Sequence, residues 1–148
     1  CPMLCDLISQ GATKSLKDLK EFTAGKDFDI IFLSIDPHED ASLAQKKKQT
    51  YLVEYDRPGS ENGWHFLTGG QDQIAQIANA VGFEYKWVAS AQQFSHPAAI
   101  MLCTPDGKLS RYLYGVQFPE QNLRLGLVEA SQGKIGSTTD HFLLTCFV

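Results

Sequence analysis

The chain has no basic excess. Its 13 lysines and arginines face 17 aspartates and glutamates, a formal net charge of −4, so nucleic acid and acidic membrane surfaces are poor partners. The one dense basic run, Lys46-Lys47-Lys48, would point its side chains in different directions on a helix and reads as a solvated face. No apolar run reaches the roughly 18 residues that cross a bilayer as a helix, and no secretory signal is visible. Cysteine is too sparse for a disulfide scaffold: of the four in 148 residues, Cys103 and Cys146 lie in apolar runs and read as buried, inert thiols. Ser-His-Asp and nucleophile-elbow patterns are lacking. Gly69-Gly70 lacks the rest of a phosphate-loop fingerprint and reads as a helix start. What remains, 43% hydrophobic and 20% charged, describes one ordinary globular domain, able to bury about 70% of the surface its unfolded chain exposes.

Against that background the first five residues, Cys1-Pro2-Met3-Leu4-Cys5, stand out. Two cysteines four apart on a helix share a face. In a first turn, the free backbone N–H groups and the positive end of the helix dipole would stabilise thiolates. Such a pair can hold a soft metal ion or cycle with a disulfide. A motif placed at residue 1, and an apolar run ending at Val148, lead us to expect a fragment of a longer chain.

Leu4, Leu7, Ile8, Leu16, Leu19 and Phe22 give helical spacing, with a possible break at Gly11. Residues 29–35, Asp-Ile-Ile-Phe-Leu-Ser-Ile, read as a strand covered on both faces and stopped by Asp36-Pro37. Asp40 or Ser42 can cap a second helix carrying Leu43, Ala44, Tyr51, Leu52 and Tyr55. A turn-rich loop leads to a short strand at residues 64–68. A third helix follows, with Ile74, Ile77, Ala78 and Val81 as its apolar stripe and Gly82 as its close. Residues 83–88 alternate like a half-exposed strand. Residues 98–103 and 108–114, joined by Thr104-Pro105-Asp106-Gly107, form a predicted β-hairpin. Pro119 opens a fourth helix bearing Leu123 and Leu127. This α/β order is that of a thioredoxin-like three-layer sandwich without the strand that precedes the first helix, so an open sheet edge or apolar slot is expected.

Four stretches carry a more specific likeness: Cys-Pro-Met-Leu-Cys (1–5), Leu-Ser-Ile-Asp-Pro (33–37), Gly-Trp-His-Phe-Leu-Thr-Gly (63–69), and Phe-Ser-His-Pro-Ala-Ala-Ile (94–100) running into Thr-Pro-Asp-Gly-Lys (104–108). Together they resemble the Sco/SenC family of thioredoxin-like copper chaperones, which help metallate the dicopper centre of cytochrome c oxidase. The resemblance covers residues 1–130 as one domain and leaves 131–148 as a truncated C-terminal extension. It implies copper, Cu(I) or Cu(II), bound by Cys1, Cys5 and His96, with Asp36 helping to position the site. It further implies delivery to the oxidase subunit carrying the dicopper site, contact with other copper chaperones, and a place in the bacterial periplasm on an inner-membrane anchor outside this sequence. Pro97, where many members have a small polar residue, would stiffen the loop that carries His96.

Other readings of the same residues remain. Cys1 could attack and Cys5 resolve in a thiol–disulfide oxidoreductase, although thioredoxin-type enzymes favour a two-residue spacer and do not need the histidine. Structural zinc wants four closed ligands, and no fourth is apparent. His38 reads as solvated, His65 as a packed or surface imidazole, and Glu39 and Asp40 as helix-start acids.

Overall fold

The computed structural model describes residues 2–135, and Cys1, His141 and Cys146 lie outside the described residues. The first helix, α1 (Pro2–Asp18), is followed by β1 (Ile30–Leu33), α2 (Ala41–Tyr55) and, after one 3-10 turn, β2 (Trp64–Leu67). Next come α3 (Gln71–Ala80), β3 (Lys86–Val88), β4 (Gln93–Ser95), β5 (Ala99–Cys103), β6 (Leu109–Tyr114) and α4 (Glu120–Ser131).

The strands form three two-stranded sheets. β1 and β2 run parallel, in register from Ile30 opposite Trp64 to Leu33 opposite Leu67. β3–β4 and β5–β6 are antiparallel hairpins. Among the described residues β1 and β5 are not hydrogen-bonded to each other, so the mixed α/β framework is present with its central sheet divided.

One core joins the parts. Leu16 of α1, Tyr51 and Tyr55 of α2, Trp64 of β2, Leu102 of β5 and Leu123 of α4 are buried together. Phe32 stacks on Tyr51, Trp64 and Phe66 at centroid separations of 5.5, 5.9 and 4.5 Å. Each large side chain hidden here contributes about 2 kcal/mol by leaving water. β1 differs from expectation: Ile31 is 66% exposed, so only the Ile30 and Phe32 side meets the core.

α1 runs unbroken through Gly11, where a break was expected. The glycine serves proximity rather than flexibility, because a Cβ there would lie 1.9 Å from the Val116 carbonyl oxygen. Helix α1 therefore packs directly on the chain leaving β6. Its far end is held by Arg57. The guanidinium donates to the carbonyls of Lys17, Leu19 and Phe22 and lies over the Tyr55 ring at 5.1 Å. The carbonyls of Lys17 and Leu19 are of the kind a helix end leaves without partners, and that of Phe22 belongs to the loop that follows.

Asp40 caps α2 by accepting from the Leu43 N–H at 2.8 Å. Gly70 stands at the N-cap of α3, and Pro119 at that of α4, one position earlier than predicted. The predicted strand over residues 83–88 shrinks to β3, paired with β4, which the sequence pattern does not announce. Its three residues, Gln-Phe-Ser, are too few to show alternation. Cys103, expected buried, is exposed at the end of β5, where the register with β6 shifts. Its thiol is nonetheless pushed up by partial burial.

Candidate metal centre

The site is assembled from distant parts of the chain. Cys5 lies early in α1 and His96 in the link from β4 to β5. The fold brings the Cys5 Sγ within 3.3 Å of the His96 Nε2 across 91 positions of sequence. On its other side the ring is fixed by Pro97, whose carbonyl oxygen lies 3.0 Å from the Nδ1. A carbonyl can only accept, so Nδ1 carries the ring proton and Nε2 offers its lone pair to the sulfur. The Cys5 thiol then donates to Nε2. Phe83 packs on the imidazole with centroids 5.7 Å apart.

Asp36 was expected to help position the site, and the Pro97 carbonyl instead fixes the imidazole. The Asp36 carboxylate turns back on its own loop, accepting from the His38 backbone N–H at 2.9 Å and facing its Nδ1 at 3.0 Å. The backbone bond foremost, then the imidazole, holds that carboxyl below the usual range despite some desolvation.

The thiol also departs from the thiolate expected of a helix start. Burial pushes Cys5 above the ordinary thiol range; Lys47 pulls the other way, while Asp6 and Glu39 add to the rise. Half-buried in α1, the sulfur is shifted most by desolvation, which outweighs the neighbouring positive charge. Its resting form is the protonated thiol, held within hydrogen-bond distance of the His96 Nε2.

Lys47 and Glu39 are the site residues that sequence reasoning missed. Lys47 was read as part of a solvated face, but its Nζ bonds Glu39 at 3.1 Å, with side chains 38% and 25% exposed. Their separation, one just before the Asp40 cap and the other two turns into α2, was the available signal. Among the described residues no group of three or more His, Cys, Asp or Glu converges as a metal site. Cys1, the remaining proposed ligand, lies outside them.

The two donors in view suit a soft, low-coordinate ion. A sulfur and an unprotonated imidazole nitrogen face each other where a hydrogen bond now holds them, and an ion replacing that proton would meet both. The pair suits a soft or borderline ion rather than a hard cation, which takes oxygen ligands.

The family model described as SCO1/SenC matches residues 1–125. The chain belongs to the SCO1/SenC family. Among solved structures it is similar to a candidate electron transfer protein from Aquifex aeolicus VF5, with 24% identity and a TM-score of 0.73, covering 90% of this chain and 73% of that one. A candidate electron transport protein from the same organism matches at 24% identity and a TM-score of 0.58, over 81% of this chain and 70% of that one. A comparison with curated proteins found no match. These likenesses show the thioredoxin-like fold of the SCO1/SenC family, which in general binds copper. Among the described residues no helix is long and apolar enough to cross a membrane.

Proposed function

We propose that this SCO1/SenC domain binds one copper ion through Cys1, Cys5 and His96 and delivers it to the oxidase subunit that carries the dicopper centre. The observation that carries the reading is the approach of the Cys5 sulfur to the free Nε2 of His96, 3.3 Å apart and drawn from distant parts of the matched region. Nothing in the core requires a cysteine and a histidine to meet there. A thiol held against an imidazole nitrogen can exchange its proton for a metal ion, which would then take both donors.

Delivery asks for a site that can let go. Cys5 and His96 are both only half-buried, so a partner's cysteines can reach the ion and exchange ligands one at a time. The same reading carries a periplasmic location and an inner-membrane anchor outside the described residues, with other copper chaperones as sources of the ion.

The test is a Cu(I) titration of the fully reduced protein against a competing chelator, beside His96→Ala and Cys5→Ser. One tight equivalent, weakened at least about tenfold in each variant, is the expected result. Binding indifferent to His96 would overturn the reading and leave the Cys1–Cys5 pair to thiol–disulfide exchange.

A further inference from the structure

Helices α1 and α2 pack side by side, with Lys17 near the carboxyl end of α1 bonded to the Glu54 carbonyl near that of α2 at 3.0 Å. The turn that leads into α2 and carries a second histidine therefore lies toward the amino end of α1. His38 follows β1, and its side chain is 91% exposed, yet its ring is not free to turn. One oxygen of Asp36 accepts the His38 backbone N–H at 2.9 Å and lies 3.0 Å from its Nδ1. The turn beneath is itself tied down: the Asp36 N–H donates to the Ser34 hydroxyl at 3.2 Å, and the Glu39 N–H to the Asp36 carbonyl at 3.2 Å. A carboxylate on Nδ1 selects the tautomer whose Nε2 carries the lone pair, strengthens that nitrogen as a donor and aims it. Here it is aimed at solvent.

Placement gives this pair its meaning. The turn leaves the carboxyl end of β1, the end at which open α/β sheets take their ligands. Glu39, the next residue, is bonded to Lys47. Both act on the Cys5 thiol, and Lys47 acts on Asp36 as well. The molecule holds a comparable pair that serves as a contrast. His65 lies 3.5 Å from Asp29, but Asp29 precedes β1 and His65 pairs with Ile31, toward the amino end of the strand.

We propose that His38 is a landing ligand for the copper, taking Cu(I) from a donor at the mouth of the site and passing it inward to Cys5 and His96. The inference rests on the copper reading above. The transfer is ligand exchange without electron movement. The donor's sulfur–copper bond breaks as a bond to His38 Nε2 forms; that bond breaks as the Cys5 sulfur takes the ion, and the thiol proton leaves to water. Copper remains Cu(I) throughout.

The experiment is stopped-flow uptake of Cu(I) from its glutathione complex by the reduced protein, with equilibrium affinity measured in parallel. His38→Ala should slow uptake and release by about tenfold and leave affinity unchanged, with Asp36→Asn slowing them less and His65→Ala matching the wild type. In Cys5→Ser protein, whose inner site is impaired, Ag(I) as a diamagnetic surrogate should shift the ring nitrogen resonances of His38 and not those of His65. Wild-type rates in His38→Ala, an affinity that falls with the rate, or equal slowing by His65→Ala would each overturn the inference while leaving the copper site standing. A wild-type protein that takes up no Cu(I) would remove both.

Discussion

The two ends of α1 are held in opposite ways. At the carboxyl end Arg57 ties three carbonyls and covers Tyr55, drawing the helix, its following loop and α2 into one unit. Near the amino end the Cys5 sulfur makes a single 3.3 Å contact with a histidine on a link between strands. One end is built to stay, the other to exchange its partner. A helix anchored far from its reactive residue can hold that residue in a fixed position with few bonds, as the proposed uptake and release of an ion would ask.

Breaking the anchored end should have the largest effect on the fold. Arg57→Ala removes charged hydrogen bonds to the part-buried carbonyls of Leu19 and Phe22 and the exposed one of Lys17, and urea denaturation should show a loss of about 2 kcal/mol. His96→Ala should do the reverse, costing under about 1 kcal/mol in the same denaturation series while Cu(I) affinity falls at least about tenfold. If His96→Ala proved as destabilising as Arg57→Ala, the contrast between the ends would be false.

The Cys5 thiol sharpens the comparison through pH. Its folded-state pKa is raised by burial, so the folded protein holds this proton more tightly than the unfolded chain. That contribution to stability is whole below the ordinary thiol range and is lost as pH rises through the raised value. Wild-type protein should therefore lose stability relative to Cys5→Ser as pH climbs above that range. Metal binding has the opposite slope. Each thiol ligand that gives up a proton adds about a factor of ten per pH unit, so apparent Cu(I) affinity should rise at least about tenfold per unit below the raised value. A pH-independent affinity would mean that the sulfur is already a thiolate or not a ligand.

The smallest predicted effect belongs to Lys47. Its ammonium favours the Cys5 thiolate, opposed by the Glu39 carboxylate bonded to it. Lys47→Met should slow alkylation of Cys5 by iodoacetamide by about threefold, whereas Lys46→Met on the exposed flank should not. Peptide mapping of the alkylated protein separates Cys5 from Cys103.

Much of this framework can be read from the residues. The apolar run at 30–33, the Asp40 cap and the Thr104–Gly107 turn each act within a few positions, and the corresponding elements lie where local pattern puts them. β4 escaped because a three-residue strand, Gln-Phe-Ser, is too short to establish a period. The exposure of Ile31 and Cys103 depends on what covers a strand, which the strand's own sequence does not encode. The pairing of Cys5 with His96 could be anticipated only through the family resemblance, since no local rule links positions 91 apart. The Pro97 carbonyl was missed as a partner for the ring because a backbone atom leaves no mark on composition. The protonated state of Cys5 was misjudged because helix position was weighed without burial, and desolvation is the larger effect.

The most direct test is X-ray absorption spectroscopy of the Cu(I)-loaded protein and of its His96→Ala variant. The account predicts a low-coordinate copper with sulfur and one imidazole nitrogen in the wild type, the nitrogen scattering absent from the variant. An all-sulfur environment identical in both proteins would contradict it.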